Sequence, residues 1–347
     1  MEKVYHALSL TVYTTDNMAN LDFIAIGDIT TDAFIRLRDA EIHCDINHEK
    51  CTICMDFATK IPYEFVKVVP AVGNSANAAV AAARLGLKTG LVTNMGDDQN
   101  GKDCLTQLKK DKVNCDYIKI HPGKSTNYHY VLWYEDERTI LIKHESYEYE
   151  LPFLGLPKWI YLSSIGEAGA PFHSKIAEYL KERPEINLAF QPGTFQINLG
   201  YEKLKDIYSR TKIFFCNINE AQRILKIEEK SIPRLLSKIK ELGPEIVVIT
   251  DGKKGAYLHY EKEMFFMPSY PDQSPPYERT GAGDAFSSTF VAALALGKTP
   301  LEALTWAPVN SMYVVQYIGA QEGLLTRKKL EGNLKTAPDG YKPEIII

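Results

Sequence analysis

The feature of this sequence that most limits its fold is a regular alternation of short apolar runs with longer helical patterns. The apolar runs resemble strands buried on both faces, and they cover residues 22–26, 89–94, 159–163, 188–190, 212–216 and 246–250. Helical patterns, several of which end at a glycine as helices often do, lie at 76–85, 102–110, 172–181, 231–242 and 284–296. This alternation predicts an α/β fold with a central, mainly parallel sheet flanked by helices.

Two segments interrupt the alternation, at about 34–69 and 127–144. They carry extended runs rich in Tyr, Val and Ile, with polar turns and no helical pattern, which predicts a small β element apart from the main sheet. A β element of this kind suits a lid over a cleft. Residues 1–20 are polar and weakly patterned, so we interpret them as an N-terminal extension of a domain that covers residues 21–347.

Composition and charge exclude several classes of protein. With 45% hydrophobic and 24% charged residues, the chain matches ordinary globular proteins rather than disordered or fibrous ones. The net charge is -4 and the only local basic cluster is Lys109–Lys112, so neither nucleic acid nor a membrane surface is an expected partner. No apolar stretch reaches the roughly 18 residues of a membrane span, and charges interrupt the N-terminal segment where a signal peptide would be apolar. We therefore expect a soluble, cytoplasmic protein.

The most informative segment is the glycine-rich stretch Arg279–Phe286, which directly precedes a helical pattern rich in Ala and Ser. Glycines before a helix let the backbone approach a ligand closely, and the free N–H groups of the first turn attract anions. Asp284 lies in that turn, where a carboxylate can take a proton from an attacking hydroxyl while the amides hold a phosphoryl group. The alternative is an Asp favoured by the helix dipole, with glycines that serve only the turn.

Two other segments place amides and a carboxylate at predicted helix starts. Asn74 and Asn77 begin the helix within 71–86 and offer donors and acceptors suited to hydroxyls. The alternative is a helix cap by Asn74 or Ser75 with an Ala-rich buried face. Asn217 and Glu220 follow a buried strand, where open α/β sheets bind ligands, and could hold waters of a Mg²⁺ ion. A helix cap with an acidic first turn is again the alternative.

Taken together, these segments resemble the ribokinase-like sugar kinases, also called the PfkB family, from Phe23 to about Gly323. Each motif alone is weak, but they occur in the family's order: Gly27-Asp28 with Asp32, the Gly-Asn helix at 73–86, Gly96-Asp97-Asp98 with Gly101, Asn217 with Glu220, Thr250-Asp251-Gly252 and Gly281-Ala282-Gly283-Asp284. The resemblance implies a three-layer sandwich with a small β-sheet lid. It also implies ATP-dependent phosphorylation of a hydroxyl, usually the primary alcohol of a sugar or nucleoside.

The resemblance further implies roles for individual residues. Asp284 occupies the position that resembles the family's general base. The backbone amides of Gly281, Ala282 and Gly283 resemble the family's anion hole. Asp32 looks like the acidic residue that binds a sugar diol. By the same resemblance, the sugar would contact Gly73, Asn74 and Asn77. Mg²⁺ and the phosphates would be organised by Asn217 and Glu220, and the nucleotide would contact Thr250 and Gly252.

Three positions depart from the family pattern. Val72 stands at the first position of the usual Gly-Gly pair, and Gln191 follows the strand at 187–190, where many members have an acidic residue. Many members also use a monovalent cation such as K⁺ beside the anion hole. The candidate loops here are those of Glu278, which replaces the more usual Asp, of Thr280 and of Gly319-Ala320.

The six cysteines are an even number, but they are sparse and no export signal accompanies them, so we expect reduced thiols. Cys44, Cys51 and Cys54 cluster with His43 and His48, and such a set could supply the four tetrahedral ligands of zinc. If Cys51 starts a strand, however, Cys51 and Cys54 point to opposite faces of it. We therefore favour a packed lid strand over a zinc site.

Among possible functions, we favour a small-molecule kinase whose lid excludes water during transfer. A non-catalytic sugar- or nucleoside-binding protein of the same fold would not need both a base and a metal corner, and a metal-dependent hydrolase lacks a matching His-Glu spacing. Aromatic residues such as Tyr128, Tyr130 and Trp133 fill the lid's own core or stack on a nucleobase. We favour a pentose-bearing substrate, nucleosides included. The oligomeric state stays open, although the exposed strand edges of a β lid could pair across a homodimer.

Overall fold

A ten-stranded sheet runs through the centre of the molecule and a smaller sheet lies apart from it. The computed structural model describes residues 21–45, 51–135 and 137–347. The strands are β1 (Phe23–Ile26), β2 (Thr30–Leu37), β3 (Glu41–Cys44), β4 (Cys51–Cys54), β5 (Tyr63–Val72), β6 (Thr89–Gly96), β7 (Ile118–His121), β8 (Tyr128–Tyr134), β9 (Glu137–Leu141), β10 (Trp159–Leu162), β11 (Asn187–Phe190), β12 (Thr211–Asn217), β13 (Ile246–Thr250), β14 (Ala256–Tyr260), β15 (Glu263–Met267) and β16 (Glu344–Ile345). The helices are α1 (Asn74–Arg84), α2 (Gln99–Lys110), α3 (Phe172–Lys181), α4 (Thr194–Leu199), α5 (Tyr201–Arg210), α6 (Ile218–Leu225), α7 (Ile232–Glu241), α8 (Ala282–Ala295), α9 (Pro300–Val314) and α10 (Arg327–Lys335).

The large sheet has the order β16-β15-β14-β13-β12-β11-β10-β1-β6-β7. From β13 to β7 neighbouring strands pair in parallel, whereas β13 to β16 pair antiparallel. Strands β1, β6 and β10 are buried along their whole length, as their near-continuous apolar sequences predict. The predicted mainly parallel sheet is confirmed.

The helices form a layer on each face of this sheet, and each layer has its own apolar core. On one face the Ala-rich α1 packs against α8, and Val80 and Phe290 are fully buried there. On the other face α3, α5 and α7 bury Ile176, Leu204 and Leu236. The predicted three-layer α/β sandwich is confirmed. Within the described ranges, no helix combines the length and the apolar character needed to cross a membrane.

The small sheet has the order β5-β2-β8-β9. Strand β2 pairs antiparallel with β5 and in parallel with β8. The register sets Asp32 beside His129, so their side chains share one face of the small sheet. The small β-sheet predicted from the two interruptions is confirmed, and its use as a lid stays a prediction.

Strands β3 and β4 form a separate hairpin that carries a disulfide between Cys44 and Cys51. The expectation of reduced thiols is therefore wrong for this pair, because strand pairing sets the two residues directly opposite each other. The disulfide removes both thiolates as zinc ligands, and Cys54 lies on the other face of the hairpin. In the described part of the chain, no three His, Cys, Asp or Glu residues are grouped to hold a metal ion. His48 and the predicted extension at 1–20 lie outside the described residues.

Candidate active site

The carboxyl ends of the parallel strands open into a cavity of about 420 Å³. Gln191 follows β11, Asn217 ends β12 and Thr250 ends β13, which is the usual position of ligand sites in open α/β sheets. The small sheet forms the opposite wall with Asp32 and His129. A second cavity of about 290 Å³ adjoins the first at Thr250 and the start of α8.

The structure brings all of the predicted site residues to these two adjoining cavities. The larger cavity is lined by Asp32, Gly73, Asn74, Asn77, Asn217, Glu220, Thr250, Gly281, Ala282, Gly283 and Asp284. Gly252 lines the smaller one with Thr250. A cavity of about 430 Å³ beside α10, lined by Tyr313 and Lys329, shares none of these residues. The placement supports one continuous site, whereas the roles of the residues stay predictions.

Gly281 sets the backbone at the start of α8. Its φ of +84° lies in the left-handed region, and a Cβ at this position would lie only 2.2 Å from the Cβ of Ala320, so glycine is the residue that fits. The helical ladder starts where Ala285 N–H donates to the Gly281 carbonyl at 2.8 Å. The amides that precede it form the end of the helix that attracts anions. A Cβ on Gly283, by contrast, would meet no described atom within 4 Å.

The Asp284 carboxylate is held by three side-chain amides. Oδ1 accepts hydrogen bonds from Asn74 Nδ2 at 2.8 Å and Gln191 Nε2 at 3.1 Å, and Oδ2 accepts one from Asn77 Nδ2 at 2.8 Å. Burial raises the pKa of Asp284 above its ordinary range, and the hydrogen bonds from Asn77, Gln191 and Asn74, with the charge of Arg138, offset only part of this. The carboxylate is therefore fixed in position and more basic than a solvated one.

On the small-sheet side, the cavity wall has polar atoms whose bonding capacity is unused. His129 Nδ1 lies 3.4 Å from Asp32 Oδ1. Neither Asp32 Oδ1 nor His129 Nε2 has a hydrogen-bond partner among the described residues, although both atoms are buried. A buried polar atom without a partner costs about 1–3 kcal/mol, so this wall suits a ligand that supplies hydroxyl or amine groups.

A second Asp–His pair lies next to the first. The buried Asp28 carboxylate accepts hydrogen bonds from the Tyr149 hydroxyl and the Gly166 N–H, each at 2.7 Å, and lies 2.9 Å from His144 Nδ1. The His144 ring is 5.3 Å from the rings of both His129 and Phe195. The Asp28 contacts therefore fix His144 in the cavity wall, where it lies between a polar and an aromatic neighbour.

The loops predicted for a monovalent cation meet beside the start of α8. The buried Glu278 carboxylate accepts hydrogen bonds from the backbone and hydroxyl of Thr280 at 2.7 and 2.5 Å, and from Gly319 N–H at 3.3 Å. Arg138, which strand β9 of the small sheet carries, places Nε 4.0 Å from the same carboxylate. This corner is thus acidic, and an arginine already faces it.

Asn217 and Glu220 form a capping box at the start of α6: Glu220 N–H donates to Asn217 Oδ1, and Asn217 N–H to Glu220 Oε2, each at 2.9 Å. The helix-cap interpretation is therefore correct, yet both residues also line the large cavity. Burial and the charge of Asp284 raise the pKa of Glu220. Two carboxylates that face one cavity favour a cation between them, and oxygen donors with bound water suit Mg²⁺. The residues thus fit a water-mediated Mg²⁺ site.

The smaller cavity is mainly apolar. Its walls include Tyr270, Pro276, Phe286, Pro308 and Met312. Gly252 and Thr250 line it where the β13–β14 hairpin turns, as Asp251-Gly252 predicts, and Thr250 also lines the larger cavity. An apolar slot next to an anion-attracting helix end suits a flat base joined to phosphates.

Several residues that line the large cavity were not found from the sequence. They are Arg138, His129, His144, Phe195, Ile140 and Ile142. Most of them lie on or directly after β8 and β9, in the segment predicted as a β element. Period-2 alternation along those strands separates two faces, but the face that meets the cavity depends on how the two sheets pack.

Comparison with known proteins gives a consistent result. The sequence profile described as pfkB family carbohydrate kinase matches residues 66–327. A ribokinase from Bacillus subtilis is 29% identical over 265 residues, which cover 75% of this chain and 86% of that one. Among solved structures, a nucleoside kinase from Methanocaldococcus jannaschii matches with a TM-score of 0.75, 18% identity and 91% of this chain covered against 99% of its own. The structure of Arabidopsis thaliana ribokinase complexed with ribose and ATP matches with a TM-score of 0.76 and 19% identity. The match covers 91% of this chain and 99% of that one.

Proposed function

Because this chain belongs to the pfkB family of carbohydrate kinases, we propose that it transfers the γ-phosphoryl group of ATP to the hydroxymethyl group of a sugar or nucleoside. The observation that carries the proposal is the position of Asp284. Its carboxylate lines the larger cavity in the first turn of α8, directly after the backbone of Gly281–Gly283. A base and an anion-binding backbone then lie at one point, as phosphoryl transfer requires.

In the proposed reaction Asp284 takes the proton of the acceptor hydroxyl. The hydroxyl oxygen forms a bond to the γ-phosphorus, and the bond from that phosphorus to the bridging oxygen of ADP breaks. The amides of Gly281, Ala282 and Gly283 hold the charge that develops on the transferred group. The raised pKa of Asp284 fits this role, because a base is most effective when its pKa approaches the working pH.

The cations belong to the finer part of the proposal. When bound, Mg²⁺ neutralises phosphate charge and orients the phosphates, and Asn217 and Glu220 would hold it through water. Glu278, Thr280 and the Gly319 loop would hold a monovalent cation beside the anion-binding backbone. Arg138 supplies positive charge to the same corner from the small sheet.

The two cavities divide the substrates between them. We assign the adenine of ATP to the apolar cavity at Gly252 and Thr250, with its phosphates directed to the start of α8. The acceptor then occupies the larger cavity, with its diol at Asp32 and further contacts at Asn74 and Asn77. This assignment is supported by the unused capacity of Asp32 Oδ1 and His129 Nε2 on that wall.

One observation favours a nucleoside over a free sugar. Ile140 and Ile142 line the larger cavity although 38% and 51% of their surfaces are exposed, and Phe195 lies on the same cavity next to the His144 ring. A free sugar is polar on all sides, whereas a nucleobase offers apolar faces that would cover these side chains. The proposed substrate therefore has a ribose at Asp32 and a base toward this wall.

The experiment that tests the function is a coupled ATP-consumption assay with D-ribose, fructose 6-phosphate, adenosine, cytidine and other sugars and nucleosides. We expect consumption with one acceptor class and formation of its phosphate ester, detected by mass spectrometry. The Asp284→Asn variant provides the matched blank. Tight binding of an acceptor by calorimetry without any ATP consumption would replace the kinase proposal with the non-catalytic binding protein.

The proposal includes a homodimer through the small sheet. Val68, Tyr130 and Leu141 form a row across β5, β8 and β9 on the face opposite Asp32, and all three are exposed. Exposed apolar side chains in one row are typical of an interface. Light scattering after size exclusion measures the mass, and Val68→Lys is expected to convert the dimer to monomer.

A further inference from the structure

The Gln191 side chain contacts the proposed base, and the proposed reaction gives it no role. It follows β11 and faces the base directly: its Nε2 donates to Asp284 Oδ1 at 3.1 Å. Since an ionised carboxylate only accepts hydrogen bonds, the amide nitrogen of Gln191 must be the atom that faces it. The other end of the side chain decides how firmly that orientation is held.

The carbonyl end of Gln191 is held from α8 and from the large sheet. The Tyr161 hydroxyl of β10 donates to Gln191 Oε1, and Ser287 Oγ lies 3.0 Å from the same oxygen. Burial and the charge of Asp284 raise the pKa of Tyr161, which keeps its hydroxyl protonated as a donor. The Gln191 amide is thus fixed at both ends.

The hydrogen bonds divide unequally between the two oxygens of Asp284. Among the described residues, Oδ1 accepts from both Gln191 and Asn74, while Oδ2 accepts from Asn77 alone. Each carboxylate oxygen has about two acceptor sites, so Oδ1 is saturated and Oδ2 keeps one free. We propose, on the basis of the proposed function, that Gln191 is a positioning residue that saturates Oδ1 and thereby makes Oδ2 the atom that takes the proton of the acceptor hydroxyl.

For the ionisation of Asp284, the neutrality of the Gln191 side chain matters as much as its shape. A neutral amide stabilises the ionised form of Asp284, whereas a carboxylate at this position would face Asp284 and force the pair to share a proton. The other charged or titratable groups toward Asp284 are Arg138 of β9, Glu220 of α6 and Tyr161 of β10. The same cavity also contains Asp32, His129, His144, Cys216 and Arg279. None of these residues is itself substituted in a Gln191 variant, although the Tyr161 hydroxyl loses its acceptor in Gln191→Leu.

The first test needs no substrate. The Asp284 side-chain carboxyl carbon is labelled with ¹³C, assigned by its loss in Asp284→Asn, and titrated by NMR in the free protein. In Gln191→Glu and Gln191→Leu we expect its midpoint to move to higher pH. The exposed Gln99→Glu, which adds the same charge on α2, is the control and should leave the midpoint unchanged. An unchanged midpoint in both Gln191 variants overturns the proposal.

The second test uses the acceptor that the ATP-consumption panel identifies. Gln191→Leu should lower kcat about tenfold with little change in KM, because the base loses a hydrogen bond from a side chain that, on this proposal, does not itself touch the substrate. Tyr161→Phe, which retains Ser287 near the amide, should lower kcat about threefold. In Gln191→Glu the acidic limb of the kcat profile should move to higher pH. If KM rises instead while kcat and its pH profile stay unchanged, Gln191 binds substrate and the proposal is wrong.

The two tests separate this inference from the function on which it rests. A wild-type protein that phosphorylates no acceptor would defeat the proposed function, while the NMR titration still decides whether Gln191 controls Asp284. An active wild type with unaltered Gln191 variants would defeat only the inference.

Discussion

The two walls of the larger cavity differ in how their polar atoms are satisfied. At the α8 wall, both oxygens of Asp284 are bonded to amides of the protein itself. At the small-sheet wall, Asp32 Oδ1, His129 Nε2 and Arg138 Nε are buried without a hydrogen-bond partner among the described residues. Hydrogen bonds within the protein thus fix the carboxylate of the first wall, whereas these three atoms of the second wall have no such bond to the described residues.

On the proposed function, this difference separates the residues of the catalytic step from those that recognise the acceptor. Preorganised groups do not have to reorient during the reaction, so the α8 wall suits the step common to all acceptors. Buried atoms with unused capacity penalise any ligand that fails to pair with them, so the small-sheet wall suits selection between acceptors. Variants on the first wall should therefore change kcat, and variants on the second should change KM.

The largest effect is expected when the proposed general base of the α8 wall is replaced. Asp284→Asn conserves shape but cannot accept the proton, so kcat should fall by about 10²–10⁴-fold, the usual contribution of general base catalysis. Acceptor binding, measured by calorimetry, should remain within a few-fold of wild type. Turnover close to that of wild type would remove Asp284 from the mechanism.

The start of α8 offers a matched glycine pair. Gly281→Ala places a Cβ against Ala320 at a positive φ, which should lower the free energy of unfolding by about 1–3 kcal/mol and reduce kcat. Gly283→Ala points into open space and should leave the unfolding free energy nearly unchanged. Thermal denaturation and steady-state kinetics of both variants check the contrast, and equal destabilisation would contradict it.

On the small-sheet wall, Asp32→Asn and His129→Gln should raise KM by roughly tenfold with a smaller change in kcat, since each alters one contact with the acceptor. Ile140→Ala on the same wall should weaken a nucleoside more than a free sugar. Kinetics with adenosine and D-ribose measure both effects. A fall in kcat alone would place these residues with the catalytic wall instead.

The dependence of kcat on pH tests the α8 wall in the wild-type protein. Asp284 must be ionised to act, and burial raises its pKa, so kcat should decline on acidification at a higher pH than for an ordinary carboxylate. Activity should be restored as pH rises through that point. Rates measured from about pH 4 to pH 8 test this, and full activity down to the range of a solvated Asp would contradict it.

The smallest effect is expected at the disulfide hairpin. Cys44→Ser and Cys51→Ser should leave kcat and KM unchanged, because neither residue lines the described cavities near α8. The loss of the cross-link should lower the free energy of unfolding by about 2–3 kcal/mol. Activity and melting temperature with and without reductant measure this, and a change in KM would link the hairpin to the acceptor wall.

Sequence patterns predicted the large sheet well, because a strand buried on both faces must be apolar throughout, as Phe23–Ile26 is. They also located the start of α8, since Gly281 lies where the backbone takes a positive φ that favours glycine. Strand β16, only two residues long, leaves too short a pattern to detect. The disulfide was missed because it depends on the register of β3 and β4, which spacing alone does not give.

The least predictable part of the site is its network of side-chain contacts. Gln191, Tyr161 and Ser287 meet at one point from three separate elements, and no local pattern connects them. Arg138 of the small sheet likewise lies beside Glu278 of the loop before α8. Such contacts follow from how whole layers pack, so they emerge only once the fold is assembled.

The position of Arg138 has one more consequence. Its guanidinium belongs to the small sheet but lies beside a carboxylate of the loop that leads into α8. Any sliding or tilting of the small sheet therefore carries a positive charge toward or away from the phosphates' proposed location. If the small sheet acts as the predicted lid, opening of the cleft therefore also weakens or strengthens the electric field at that location.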